Sequence, residues 1–246
     1  MLDHMYTPGS RSTLRSALPW LQPWTTRAVG AALALSLLSL APIGAVDVNL
    51  DREAIDHALI FGRQATRGER HAFHDGYLRT PATEVRRVSV VTEYRRVVLL
   101  MEEKMRVLDR NYGVRQMTEA LRPWRGLVEI IVELQFHPHN TFVRVPPVDV
   151  LLVPLDQPGH PMPLVADATD RQPRFGLFWE PTPVDAPWWP FPPPNTPILG
   201  GTEPLTGGWL HARFEATGLT RGRYEVAVKN GGESLGRVQF DFGAIR

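Results

Sequence analysis

Residues 127–137 read LVEIIVELQFH, and alternate positions along them differ in polarity. One alternate set is apolar throughout and comprises Val128, Ile130, Val132, Leu134 and Phe136. A period of two places the two sets on opposite faces of a β-strand. The pattern therefore predicts a half-buried strand whose other face, carrying Glu129 and Glu133, is a charged outer sheet face.

More segments of this kind follow along the chain. Residues 148–155 (VDVLLVPL) and three later stretches have strand composition, and the later ones are WLHARFEA at 209–216, RYEVAVK at 223–229 and GRVQFDF at 236–242. The turn NGGES at 230–234 predicts a hairpin between the last two. Short antiparallel strands with frequent turns predict that residues 126–246 form a β-sandwich.

The stretch FEATGLTRGRYEVAV at 214–228 adds a resemblance to this pattern. A leucine-containing turn and a glycine precede a strand that begins with tyrosine, and these residues are Leu219, Gly222 and Tyr224. The arrangement resembles the end of many exported immunoglobulin-like sandwiches. The resemblance implies that fold and no activity, because function depends on sites placed upon a fold.

Residues 46–125 are predicted to be mainly helical. Asp51 is a candidate N-cap for one helix, and Thr92 for a longer helix over 93–110. The longer helix carries an apolar stripe at steps of three and four, made of Tyr94, Val97, Val98, Met101, Met105 and Leu108. Gly113 is expected in the left-handed conformation that closes a helix. The predicted fold class is therefore α+β, with this helical region packed on the sandwich.

The first 45 residues have the composition of a targeting segment. A basic stretch is followed by the uncharged run at 28–46, with small residues near Ala45. One interpretation is a signal peptide cleaved after Ala45, and the other is an uncleaved membrane anchor, because the run is close to the ~20 residues that span a bilayer. Both predict an exported protein of the bacterial cell envelope, in the periplasm or outside the cell.

Composition argues against several functional classes. The chain has 27 Lys and Arg against 26 Asp and Glu, so it lacks the basic excess of a nucleic-acid-binding protein. It has no cysteine, which excludes disulfides and thiolate chemistry. Beyond residue 45 the only serines are Ser89 and Ser234, and neither lies in a nucleophile motif. The adjacent Glu102 and Glu103 are interpreted as a solvated helix edge. An enzyme is therefore not favoured.

Two histidines flank a proline in FHPHN at 136–140. If the strand continues through His139, then His137 and His139 lie about 7 Å apart on its outer face and can converge on one ion. His211, on a later strand, is the candidate third ligand of such a zinc or copper site. The pair at His71 and His74 is a further candidate. The alternative is a strand end at Pro138 with no metal, and no other cofactor is predicted.

Residues 179–201 are rich in proline and tryptophan. Such proline density prevents helix and central strand. Trp188, Trp189 and Phe191 either fold back onto the protein or form an exposed contact for a protein, a glycan or a membrane surface.

These observations favour a non-catalytic exported protein that binds a partner or has a structural role, with the Trp188–Phe191 segment as the contact. Two alternatives stay open. One is a metal-dependent function centred on His137 and His139. The other is a subunit of a membrane complex held by an uncleaved helix at 28–46.

Overall fold

A computed structural model describes residues 49–81, 83–109, 111–157, 162–175, 188–191 and 204–246. The predicted signal peptide or anchor at 1–45 lies outside these residues, as does most of the proline-rich stretch at 179–201. The described residues form a mixed α+β fold with four α-helices and two antiparallel sheets. The α+β prediction is therefore confirmed.

The four helices all lie before residue 127, and two strands separate the second helix from the third. They are α1 Arg52–Gln64, α2 Arg67–Asp75, α3 Glu93–Arg106 and α4 Val114–Leu121. Both predicted caps are present, because the side chain of Asp51 accepts a hydrogen bond from the Ala54 N–H at 2.7 Å and that of Thr92 accepts one from the Arg95 N–H at 3.2 Å. These bonds satisfy N–H groups that have no partner within a first helical turn.

The predicted end of α3 is wrong. The helix stops at Arg106, and Leu108, with φ +59°, takes the left-handed conformation. The N–H of Asp109 donates to the Lys104 carbonyl at 2.9 Å, which closes the last turn. Gly113 instead has φ −124° and is the N-cap of α4. A leucine at positive φ is unfavourable, which explains why sequence assigned that conformation to the nearby glycine.

The strands form two sheets. Sheet A has the order β1-β2-β3-β7-β6, and sheet B has the order β5-β4-β8-β9. Sheet A contains β1 Leu78–Arg79, β2 Val85–Val91, β3 Leu127–Gln135, β6 Ala168–Phe175 and β7 Leu205–Glu215. Sheet B contains β4 Val148–Pro154, β5 Leu164–Val165, β8 Arg223–Asn230 and β9 Glu233–Asp241. Sheet A thus takes strands from both sides of residue 126.

The inner face of β3 is the predicted one. Val128, Ile130 and Val132 are buried together with apolar side chains of sheet B, including Val150 and Val226, in one cluster. Alternation along each strand places these side chains in a core shared by the two sheets.

The outer face of β3 is not the predicted charged surface. Ile131 is buried there beside Leu99 of α3 and Trp209 of β7, and both Glu129 and Glu133 are buried. The prediction failed because α3 covers the outer face of β3. The side of α3 that does so, which carries Leu99, lies outside its apolar stripe. Its apolar stripe packs instead on α1 and α4, where Val97, Val98 and Met101 join the apolar side chains of those helices.

Candidate functional site

The Trp188–Phe191 segment lies against α3 and the outer face of sheet A. Trp188 is 3% exposed and packs with Leu99 and Trp209, whereas Trp189 and Phe191 are half-buried around this cluster. The structure therefore brings the three predicted contact residues together but gives them different environments. Trp188 folds back onto the protein, whereas Trp189 and Phe191 lie nearer the surface.

A buried carboxylate holds the indole of Trp188 in place. The indole Nε1–H donates to Oε2 of Glu102 at 3.1 Å, and the ring stacks on His74 with 5.3 Å between centroids and 10° between planes. Glu102 is only 2% exposed, while Glu103 beside it is exposed. Interpreting both residues as a solvated helix edge was therefore wrong for Glu102.

His74 connects this carboxylate to a buried arginine. Arg95 donates from Nε to His74 Nδ1 at 3.3 Å, and His74 Nε2 lies 3.2 Å from Glu102 Oε1. Because Nδ1 accepts, the proton of neutral His74 is on Nε2 and is donated to Glu102. Burial is the largest influence and lowers the pKa of His74, so this neutral tautomer persists at neutral pH.

Arg95 has no exposed surface, and its guanidinium donates hydrogen bonds to several elements. It donates to Ser89 Oγ at 2.6 Å and to the carbonyl oxygens of Val90 and Trp188, the latter at 3.4 Å. Burial lowers the pKa of Arg95 to about 9, which still leaves it charged at neutral pH. Trp188 is thus held twice, through its carbonyl by Arg95 and through its indole by Glu102.

A second buried network lies beside the first. Glu129 of β3 pairs with Arg96 of α3 and with Nδ1 of His211 on β7, the latter at 3.1 Å. Burial alone would raise the pKa of Glu129, but the hydrogen bond from His211 and the charge of Arg96 together lower it. The Arg96 guanidinium also lies 3.7 Å from the ring centroid of Trp124. This network joins α3 to two strands of sheet A.

The second buried carboxylate of β3 is surrounded by arginines. Glu133 lies 3.3 Å from Arg86, 3.2 Å from Arg87 and 2.9 Å from Arg174. These contacts link β2, β3 and β6, so Glu133 connects three strands of sheet A through ion pairs.

The structure places the predicted metal ligands in two locations. β3 ends at Gln135, so His137 and His139 follow the strand, and their ring centroids are 5.3 Å apart. His211 lies opposite Ile131, whereas Gln135 lies opposite Gly207, about 13 Å farther along β7. His211 therefore does not join the pair, and its Nδ1 is used by Glu129.

The hydrogen bond within the histidine pair bears on metal binding. The His139 N–H donates to Nδ1 of His137 at 3.2 Å, so neutral His137 carries its proton on Nε2. Binding an ion through Nε2 would require that bond to break. Among the described residues, no group of three or more His, Asp or Glu side chains is arranged to hold a metal ion. A metal-dependent function stays a prediction.

His71 and His74 both lie on α2 but do not form a joint site. His71 pairs on the surface with Asp75 at 2.9 Å, whereas His74 points into the buried network. The spacing of Thr66 and Glu69, which form a capping box at the start of α2, is a signal for this helix. The role of Arg95 had no such signal, because its partners are spread over three separate segments.

Comparisons with known proteins assign no relatives to this chain. It matches no family model, and comparison with curated proteins and with solved structures gave no match. Within the described residues, no helix is long and apolar enough to cross a membrane.

Proposed function

We propose that the two sheets form an immunoglobulin-like sandwich. Support comes from the strand order: β2-β3-β7-β6 corresponds to strands A-B-E-D of that fold, and β5-β4-β8-β9 corresponds to C′-C-F-G. The connections between β3 and β4 and between β7 and β8 each pass from one sheet to the other, as B–C and E–F do.

The residues that carry the resemblance support the same proposal. The hydroxyl of Tyr224, near the start of β8, accepts a hydrogen bond from the Thr220 N–H four residues upstream at 2.9 Å. This is the geometry of the tyrosine corner of immunoglobulin-like domains. Leu219 is buried, and Gly222 has φ +144°, a conformation that side chains rarely adopt.

We propose that the protein is a non-catalytic binding or structural protein of the bacterial cell envelope, and that the Trp188–Phe191 segment forms its contact. One observation carries the proposal: Trp188 is anchored by Glu102 and Arg95, while Trp189 and Phe191 remain partly exposed. Anchoring fixes the contact before a partner arrives, which lowers the entropic cost of binding.

The contact surface combines aromatic rings with guanidinium groups. The Arg106 guanidinium lies 4.4 Å from the ring centroid of Trp189, and the rings of Trp189 and Phe191 meet edge to face at 5.5 Å. Tryptophan and arginine are the residue types that contribute most to protein interfaces. A protein partner is therefore favoured over a glycan or a membrane surface for this contact.

The buried networks are consistent with a non-catalytic role. His74, Arg95 and Glu102 are each at most 2% exposed, and their polar atoms bind one another, other buried side chains or the main chain. A general acid or base must reach the proton of a substrate. These groups instead stabilise the attachment of α3 and Trp188 to sheet A.

The contact is tested by photo-crosslinking in cells that produce the full chain. Benzoylphenylalanine at position 189 should give a discrete higher-mass adduct, and the same probe at Ile60, which is 44% exposed on α1, should not. Trp188→Phe keeps a ring but removes the N–H that Glu102 accepts, so it should lower the yield at 189. Equal yields at 189 and 60, or no adduct at 189, would refute the contact.

Export has a separate test. We expect the envelope fraction to contain a species whose intact mass corresponds to a chain that begins near Val46. Full-length protein confined to the cytoplasm would rule out export and leave the contact test unaffected. Full-length protein in the membrane fraction would instead favour the retained anchor at 28–46.

A further inference from the structure

The connection between β3 and β4 contains a second surface, which we name the histidine loop and define as residues 136–144. The side chain of Asn140 fixes it, because Nδ2 donates to the carbonyl oxygens of His137 at 2.6 Å and Leu205 at 2.8 Å. Oδ1 of Asn140 accepts from the Phe142 N–H at 2.8 Å, and the Phe142 carbonyl accepts from the Leu205 N–H at 2.8 Å. The loop thus has a defined shape anchored to the start of β7.

This shape holds apolar side chains at the surface. Val143 is 67% exposed and Phe142 beside it is 40% exposed. The rings of Phe136 and Phe142 pack together with 5.1 Å between their centroids, and Val145, which follows the loop, is buried. Two apolar groups therefore point outward from a loop that is fixed on both sides.

The histidine loop carries no acidic side chain. Residues 135–148 contain His137, His139 and Arg144, all three exposed, and no Asp or Glu. Two other exposed apolar sites on the described surface differ in this respect. Val107 is followed within two residues by Asp109, and Val165 is followed within two residues by Asp167.

We propose that the histidine loop docks on the surface of an anionic lipid membrane. Phe142 and Val143 enter the boundary between headgroups and acyl chains, and Arg144 with the two imidazoles contacts the phosphate groups. Apolar side chains flanked by basic ones are the combination that binds such interfaces, and acidic neighbours oppose it. This surface is separate from the Trp188–Phe191 contact, and the proposal goes beyond the proposed function.

The proposal is tested with a fluorescent label on single cysteines. The chain has no cysteine of its own, so Val143→Cys in the full chain gives one labelling site. Val107→Cys and Val165→Cys are matched controls, because these valines are 67% and 71% exposed. Each protein carries the polarity-sensitive dye NBD and is mixed with vesicles of phosphatidylcholine alone or with one quarter phosphatidylglycerol.

We expect NBD at position 143 to shift to the blue with the anionic vesicles only, and NBD at 107 and 165 to stay unchanged. Arg144→Gln should require about fivefold more anionic lipid for the same response, and Phe142→Ser about tenfold more. Circular dichroism of each variant shows whether it has folded.

Three results would overturn the proposal. An equal response to both kinds of vesicle would remove the role of charge. An equal response at all three positions would show that the run at 28–46 brings the whole chain to the vesicle. No response at 143 to either vesicle would leave the loop to a protein partner.

Discussion

Glu102→Gln tests whether the buried carboxylate holds Trp188 and His74 in place. The carboxylate accepts from Trp188 Nε1 at 3.1 Å with one oxygen and lies 3.2 Å from His74 Nε2 with the other. Glutamine has the same shape but only one acceptor oxygen, so its NH₂ group must face one of these two donors.

The expected loss follows from these contacts. Removing one hydrogen bond to a charged group costs about 1.5–3 kcal/mol, and leaving a buried donor unsatisfied costs about 1–3 kcal/mol. Because the two terms overlap, we expect Glu102→Gln to lower the free energy of unfolding by about 3 kcal/mol. This is a large fraction of the ~5–15 kcal/mol of a typical domain.

The measurement is urea unfolding followed by circular dichroism, with Glu103→Gln as the matched control. Glu103 is the next residue on the same helix and is exposed, so its variant should lie within about 0.5 kcal/mol of the wild type. If the two variants differ by less than about 0.5 kcal/mol, the carboxylate does not stabilise the network and the reasoning is wrong.

Three further changes have defined outcomes in the same unfolding assay. Burial lowers the pKa of His74 in the fold, so below about pH 6.5 the unfolded chain binds a proton that the folded chain does not. The free energy of unfolding of the wild type should therefore fall on acidification, by up to about 1.4 kcal/mol per pH unit. In His74→Gln the same quantity should depend less on pH. Parallel plots of unfolding free energy against pH for the two proteins would contradict this prediction. Tyr224→Phe removes the acceptor of a turn N–H and should cost about 1 kcal/mol, whereas the exposed hydroxyl of Tyr112 should be dispensable in Tyr112→Phe. Gly207→Ala should lower the free energy of unfolding by more than about 2 kcal/mol, because the added Cβ would meet a carbonyl oxygen of β3. Gly218→Ala is the control and should be neutral, because no atom lies within 4 Å of its added Cβ. Equal effects of the two changes would refute the steric argument.

The parts of the fold that sequence predicted depend on local pattern. Alternation in β3 correctly identified Val128, Ile130 and Val132 as core, because a strand repeats every two residues whatever its partners are. The caps at Asp51 and Thr92 could also be predicted from sequence, because a cap and the N–H that it satisfies are three residues apart.

The outer face of sheet A could not be predicted in this way. Arg96 and Glu129 are polar types that usually lie in solvent, and only their pairing makes burial tolerable. The pair is separated by 33 positions in sequence, and Glu129 and His211 by 82. No local pattern records which charges meet over such separations.

The Trp188–Phe191 segment lies between these two cases. Its composition identified it as unusual, but sequence could not decide between folding back and exposure. The decision depends on Glu102, which is 86 positions away and resembles its exposed neighbour Glu103. The burial of Trp188 and the partial exposure of Trp189 could therefore be distinguished only in the three-dimensional structure.

The buried pair of Arg96 and Glu129 has a consequence for how this sequence can diverge. Removing one member of a buried ion pair costs about 3–5 kcal/mol, whereas replacing both with apolar residues is often neutral. We therefore expect single changes at either position to be selected against and joint changes to be tolerated. Remote relatives should reveal themselves by covariation of positions 96, 129 and 211, even where none of the three residues is conserved.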